Sequence, residues 1–301
     1  MYKIRQVCRQ VWLTAISNFR RWRKNPQVIL SFSIGFIICY MLSDKVLDFA
    51  GRHDTALQIL EPFIWTFGDA ISILLISLPL LLLFSDMPNL KNDVPFFLVR
   101  INRKIWLLGQ ILYMIMATFI FVVFILASTS LLAGYKGYTA NLWSETAAIL
   151  GYSDIGEKIA VPAFVKVLEL SFPYTCTLHI FGLMLGYSVM LSGIILFFNL
   201  CRGNGGMIGG IVFSGFGLVL NPQVVAKWFS ISGERQNIAN ILFGWISPLN
   251  HATYYMHNFG YDNLPRLWVS YLIFLIGSIF LFGLSFFKIR NYTFSFTGTQ
   301  K

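Results

Sequence analysis

Long apolar runs dominate this chain, and shorter polar stretches separate them. A membrane-spanning helix needs about 20 apolar residues, and six runs approach or exceed that length: residues 28–43, 63–84, 105–132, 173–200, 207–225 and 267–287. The first run is the shortest, and the fifth contains Asn221-Pro222, which favours a turn. The pattern predicts an all-α membrane protein with six transmembrane helices.

Residues 3–24 follow a helical period instead of forming a continuous apolar run. The apolar positions recur at i, i+3, i+4 and i+7, as in an amphipathic helix. They are Ile4, Val7, Cys8, Val11, Trp12, Ala15, Ile16, Phe19 and Trp22. The opposite face carries Lys3, Arg5, Arg9, Gln10, Asn18 and Arg21. Such a helix is expected to lie in the membrane interface with its cations toward anionic head groups; the alternative is a soluble helix packed on a partner. We therefore divide the chain into an interfacial helix (1–27) and a six-helix transmembrane domain (28–301).

Composition and charge fit this class. The chain has 301 residues, of which 56% are hydrophobic and 12% charged, against about 25% charged in soluble domains. The net charge of +10 does not indicate nucleic acid, because the basic residues flank apolar runs. With the N-terminus inside, the inner segments hold 15 Lys and Arg and the outer segments hold 8. The positive-inside rule then predicts a multi-pass protein of the plasma membrane with both termini cytoplasmic.

Two polar stretches between the runs are informative. Residues 86–104 are basic and punctuated by Pro88 and Pro95, and we expect a short helix along the inner membrane surface that begins at Pro95. Residues 238–249 are apolar but too short to span, which suits a re-entrant or interfacial segment before the last span.

The order of these parts resembles the permease subunits of type-2 ABC exporters. The resemblance rests on RRWRKNPQVILSF, LFSDMPNLKNDVPFFLVRINRKIWLLGQILY and FGWISPLNHATYYMH, and its layout covers nearly the whole chain. It implies that residues 1–27 form an elbow helix and that residues 86–104 form a coupling helix, which docks on a nucleotide-binding (ATPase) subunit. The docking residues would be Pro95, Phe96, Phe97, Val99, Arg100, Arg103 and Lys104. It also implies a second permease, identical or paralogous, packed through the first, second and fifth spans.

The chain itself has no GxxxxGK[ST] phosphate loop, so ATP and Mg are expected on the partner subunit and no cofactor on this chain. Residues 201–210, CRGNGGMIGG, are rich in glycine but lack the Lys-Ser/Thr. The small-xxx-small spacing of Gly205/Gly209 and Gly206/Gly210 instead predicts close helix packing.

Few side chains could carry chemistry. Asp69 is the one acid inside a run, and it is a candidate contact for substrate or a partner helix, or else a hydrated helix-end residue. His251 and His257 are six residues apart, which does not fit a metal site on one helical face. No HExxH or GxSxG motif is present, so we expect no enzyme activity of the chain alone. Cys39 and Cys176 fall near the same side of the membrane and leave a disulfide open.

The function expected from this sequence is ATP-driven export of an amphipathic cargo, such as a bacteriocin-like peptide, a lipid-linked molecule or a drug. Apolar spans with few ionisable residues disfavour ions and sugars as cargo. Two alternatives stay open: an ion-coupled secondary transporter, and a non-transporting immunity or sensor protein of the membrane.

Overall fold

The computed structural model describes residues 2–88, 100–153, 155–159, 161, 165–203, 205–231, 236–260 and 263–292. About 81% of the structure is helical. In chain order the elements are α1 (Tyr2–Phe19), α2 (Pro26–His53), β1 (Leu57–Gln58), α3 (Glu61–Phe67), α4 (Ala70–Phe84), α5 (Arg103–Ala133), β2 (Gly137–Tyr138), α6 (Glu145–Tyr152), α7 (Ile155–Lys158), α8 (Val165–Leu170), α9 (Pro173–Arg202), α10 (Gly205–Val219), α11 (Pro222–Trp228), α12 (Gln236–Ile246), α13 (Pro248–Ala252) and α14 (Leu267–Lys288). Short 3-10 turns occupy Trp22–Lys24, Tyr254–Met256 and Ile289–Asn291. The strands β1 and β2 pair in parallel, with Leu57 beside Gly137.

Four of these helices, α2, α5, α9 and α14, are each long and apolar enough to cross a membrane. Up to six crossings result if each of two bent helix pairs counts as one span. The predicted all-α membrane fold is therefore confirmed.

The second and fifth predicted spans are not continuous helices. A bend of 91° separates α3 from α4, and a bend of 90° separates α10 from α11. At the first break, Asp69 Oδ2 accepts a hydrogen bond from the backbone N–H of Ile71 (3.1 Å) and caps α4. At the second, Asn221 Oδ1 accepts from the N–H of Val224 (2.8 Å) and Pro222 takes the first helical position. Both are helix-start signals, and each starts a new helix inside an apolar run.

The first predicted span, residues 28–43, ends too early. Helix α2 runs to His53 and ends at Asp54, whose φ of 51° is left-handed. Its last turns are polar, and Arg52 pairs with Asp48 at 2.7 Å across one exposed turn. An exposed i, i+4 ion pair stabilises a helix in polar surroundings. A span predicted from hydropathy therefore ends before the helix itself ends.

The core of the bundle lies around α9. Of the residues in the most apolar 18-residue stretch of α9, 61% are buried, against 28% in the corresponding stretches of α2 and α14. Helix α9 is therefore central, and the other two helices are peripheral. Glycines on α9 allow α14 to come close. A Cβ on Gly186 would lie 3.0 Å from the ring of Phe274, and one on Gly182 would lie 3.1 Å from the hydroxyl of Tyr271.

The polar segments gather at the two ends of the bundle. We call one the basic end; it comprises residues 19–27, 85–88, 100–106, 199–203, 205–206 and 288–292. We call the other the opposite end; it comprises residues 54–69, 134–153, 165–172 and 222–260, within the described parts of those ranges. Of the candidate docking residues, Arg100, Arg103 and Lys104 belong to the basic end, and the candidate contact Asp69 belongs to the opposite end.

Candidate docking site at the basic end

The amphipathic helix α1 packs on α5 through a polar contact that the sequence pattern did not predict. Asn18, assigned to the polar face, is instead 5% exposed, and its Nδ2 donates to Oε1 of Gln110 at 3.0 Å. The indole N–H of Trp22 donates to the hydroxyl of Tyr113 at 2.9 Å. Gly109 allows this approach, since a Cβ there would lie 2.5 Å from Cβ of Thr14. The buried face of α1 therefore mixes small and polar residues.

The apolar side chains of α1 divide between two surroundings. Ala15 is fully buried, whereas Ile4 is 70% exposed and Trp12 is 48% exposed. Exposed apolar side chains beside a basic face are what a helix in the membrane interface presents.

The start of the loop between α4 and α5 is held by one buried side chain, Asn199 of α9. Its Nδ2 donates to the carbonyl oxygens of Ser85 (3.2 Å) and Met87 (2.5 Å). Its Oδ1 accepts from the N–H of Gly206 at 2.7 Å. A Cβ on Gly206 would lie 2.3 Å from the carbonyl oxygen of Ile195, so only glycine brings that N–H within reach. One amide thus joins the loop, α9 and the start of α10.

The same loop start also meets α2. With its amide oriented to donate, Gln27 Nε2 lies 3.2 Å from Oδ2 of Asp86, and its Oε1 accepts from the hydroxyl of Ser85 at 3.3 Å. Asn25, two residues earlier, caps α2 and accepts from the N–H of Gln27 at 3.2 Å. The loop therefore leaves α4 between two other helices of the bundle.

The other end of the loop is fixed by a cap and by the C-terminal turn. Asn102 Oδ1 accepts from the N–H of Lys104 at 3.2 Å and starts α5. Arg103, a candidate docking residue, donates from Nη1 to the carbonyl oxygen of Tyr292 at 3.2 Å. Arg100 and Lys104 are exposed. The other candidates, Pro95, Phe96, Phe97 and Val99, lie outside the described residues, as does the expected helix start at Pro95.

The four glycines of the predicted packing face, Gly205, Gly206, Gly209 and Gly210, face two directions. A Cβ on Gly206 or Gly210 would lie within 2.3 Å of neighbouring atoms, the carbonyl oxygen of Ile195 for Gly206 and Leu81 for Gly210. A Cβ on Gly209 would lie 2.7 Å from the ring of Phe198, and one on Gly205 would lie 3.1 Å from that residue's carbonyl oxygen. Gly210 therefore packs α10 on α4, and the other three glycines pack it on α9.

At the opposite end, Asp69 serves as the cap of α4, described above. The neighbouring Gly68 lies against Tyr255: a Cβ there would be 2.2 Å from the ring carbon Cζ. The Tyr255 hydroxyl donates to the carbonyl oxygen of Ile64 at 2.7 Å, so the segment after α13 closes over the bend between α3 and α4.

The two histidines that the spacing excluded as a metal pair meet on a hydroxyl of α14. His251 Nδ1 and His257 Nε2 each lie 2.8 Å from Oγ of Ser270. The remaining ring nitrogens bond backbone carbonyls, that of Trp245 at 2.9 Å for His251 and that of Thr253 at 2.9 Å for His257. Burial lowers the pKa of His257 to about 4, so that imidazole is neutral at neutral pH. The cluster fastens the segment before α14 to the first turn of that helix.

A buried carboxylate that sequence reasoning did not single out anchors the polar segment between α5 and α9, of which residues 134–153, 155–159, 161 and 165–172 are described. Glu61 is fully buried and accepts from the N–H of Ser144 (2.8 Å) and from its hydroxyl (2.5 Å). Thr55 bonds Thr146 at 2.7 Å beside it. In the sequence, Glu61-Pro62 resembles any solvated helix start, where an acid and a proline are both common, so the pair did not reveal a buried carboxylate. The described part of this segment thus forms a cap of short helices, α6, α7 and α8, on the bundle.

The cysteines form no bridge in the structure: Cys39 and Cys176 are both buried and free.

Comparison with models of known protein families, with curated proteins and with solved structures finds no match to this chain.

Proposed function

We propose that the chain is the membrane-spanning subunit of an ATP-driven exporter. In this proposal α2, α5, α9 and α14 cross the plasma membrane, and the pairs α3–α4 and α10–α11 form two broken spans. Both termini and the basic end face the cytoplasm. A separate ATPase subunit docks on residues 86–104, and a second permease completes the pathway for an amphipathic cargo.

The observation that carries the proposal is the attachment of the loop to the bundle. A docking loop must pass the movement of its partner to the spans, which requires stiff connections at both ends. Asn199 joins the loop start to α9 and α10 through buried hydrogen bonds. Arg103 joins the loop end to the C-terminal turn. A displacement of the loop would therefore act on α9, α10 and α14 together.

The basic composition of this end gives the orientation that the proposal requires. The segments assigned to the inside hold most of the Lys and Arg of the chain, and cytoplasmic loops carry such an excess. The elbow helix α1 is tied to α5 by Asn18 and Trp22, beside the loop end, so it can sense the same movement.

Cysteine labelling tests the orientation. Cys8 and Cys201, which are exposed, are first replaced by serine. Single cysteines are then introduced as Asn92→Cys, Thr299→Cys and Asp154→Cys. An impermeant reagent added outside intact cells is expected to label only the last, and labelling at position 92 would reverse the proposed orientation.

Partner release tests the docking role. The chain is purified with its ATPase subunit, and Phe97→Asp and Arg100→Glu are each expected to release that subunit. Lys227→Glu is the matched control, because it reverses an exposed charge at the opposite end. Retention of the ATPase in both loop variants would remove residues 86–104 from the docking surface.

A further inference from the structure

An open groove lies between α9 and α10, close to the basic end. It encloses about 480 Å³. On the α9 side it is lined by Ile194, Phe198 and Arg202, which follow one another at every fourth position. On the α10 side its lining recurs every three or four residues from Gly205 to Phe216. One face of each helix therefore forms each wall.

The groove faces outward from the bundle, toward the surrounding hydrocarbon. Ile208 and Val212 line it and are 67% and 64% exposed. Its walls are hydrophobic side chains and glycines, except at Arg202. In a membrane, a cleft of this kind is filled by lipid chains or by another protein, because water has no polar groups to bind there.

The length of the groove corresponds to one leaflet. Eleven residues of α10 separate Gly205 from Phe216, which at 1.5 Å per residue is about 16 Å. The hydrocarbon core is about 30 Å thick, so the groove extends from the basic end to about the bilayer midplane. That depth suits one acyl chain of the adjoining leaflet.

Charge distinguishes the two ends of the groove. The Arg202 side chain is exposed and has no hydrogen-bond or ion-pair partner among the residues that the structure describes. No acidic side chain is among the described residues of the lining. A guanidinium binds phosphate in bidentate fashion, and it lies where a head group would be when the acyl chain occupies the groove.

We propose that this groove binds one anionic phospholipid, with an acyl chain between α9 and α10 and its phosphate on Arg202. The proposal needs no ATPase partner, and it places a lipid on the groove face of α10, where the resemblance would place the second permease on the fifth span. In this proposal Gly209 lets the Phe198 ring lie directly against the α10 backbone. The groove is therefore narrow at this position, and no α10 side chain fills it there.

Native mass spectrometry of the full-length chain tests the proposal. The detergent-solubilised protein is titrated with phosphatidylglycerol and, separately, with phosphatidylcholine of the same acyl chains. We expect one phosphatidylglycerol to bind more tightly than phosphatidylcholine. Arg202→Gln should weaken that binding roughly fivefold, the effect of about 1 kcal/mol per interfacial cation. Lys288→Gln, an exposed cation at the same end, should leave it unchanged.

A second pair of variants tests the apolar part of the site. Val212→Trp fills the groove and is expected to abolish the bound lipid. Ile211→Trp, at the same depth on another face of α10, should retain it, and an equal melting temperature shows that both are folded. Equal binding of the two lipids, or equal loss in Arg202→Gln and Lys288→Gln, would overturn the proposal. Disulfide cross-linking of Val212→Cys between two copies would also overturn it, by showing that a second chain covers the groove.

Discussion

Replacing Asn199 tests most directly whether the loop between α4 and α5 is rigidly attached to the bundle. In Asn199→Leu the side chain keeps a similar volume but loses its bonds to the carbonyls of Ser85 and Met87 and to the N–H of Gly206. Asn199 is 2% exposed, so water does not replace these partners without local opening.

The expected cost follows from those three bonds. At about 1 kcal/mol net for each buried hydrogen bond, the variant should lose about 3 kcal/mol of unfolding free energy. The two bonds to the loop account for about 2 kcal/mol, which corresponds to a roughly 30-fold increase in the population in which the loop start is detached.

Hydrogen exchange measured by mass spectrometry resolves where the effect falls. In Asn199→Leu the peptide covering residues 84–88 should exchange roughly 30-fold faster, and the peptide covering residues 205–210, which loses one bond of about 1 kcal/mol, roughly fivefold faster. Asn250→Leu is the matched control, a buried asparagine at the opposite end whose Nδ2 donates to the carbonyl of Phe243 at 3.4 Å. It should lower the melting temperature without altering exchange in those two peptides. Equal exchange in the two variants, or no loss of stability in Asn199→Leu, would refute the reasoning.

Three further substitutions and one control test the packing at each end, each followed by thermal unfolding in detergent. Gly68→Ala places a Cβ 2.2 Å from the ring of Tyr255 and should cost about 1–3 kcal/mol, whereas Gly51→Ala meets open space on α2 and should be neutral or stabilising; equal effects would show that the bend between α3 and α4 tolerates a side chain. Ser270→Ala removes the hydroxyl whose single proton one of the two imidazoles accepts, and it should cost about 1–3 kcal/mol; an unchanged melting temperature would mean that the histidines find other partners. Asn18→Leu leaves a buried amide of α5 unpaired and should cost about 1–3 kcal/mol; a gain in stability would instead place that face of α1 in an apolar contact.

The long helices could be predicted from sequence because hydropathy and helix boundaries agree there. The predicted run 173–200 begins at Pro173, as α9 does, and the runs 105–132 and 267–287 match α5 and α14 within two residues at each end. In these segments the apolar length, the capping residues and the polar flanks all indicate the same boundaries.

The helix breaks could not be predicted from hydropathy, because a bent pair and a straight span have the same composition. Their signals were local: Gly68-Asp69 and Asn221-Pro222 are each a cap followed by a new helix. Such pairs also occur at hydrated helix ends, so the tertiary contact of Tyr255 with Gly68 was needed to identify the first bend.

The polar contacts that hold the candidate site were beyond sequence reasoning for a different reason. Asn199 is a lone amide at the end of an apolar run. Its partners in the loop, Ser85 and Met87, lie more than 110 residues away along the chain, and its partner Gly206 lies seven residues away. Asn18 belongs by helical period to the polar face, and only the position of Gln110 shows why it is buried. Pairings over such separations depend on how the helices pack.

ATP hydrolysis by the assembly purified through this chain tests the central claim most directly. The assembly is isolated in lipid nanodiscs as wild type, as the double variant Phe97→Asp/Arg100→Glu and as Lys227→Glu. The account predicts ATPase activity with the wild type and with Lys227→Glu, and its loss in the double variant at an unchanged melting temperature. Activity that remains with the double variant, or transport by the chain alone without nucleotide, would contradict it.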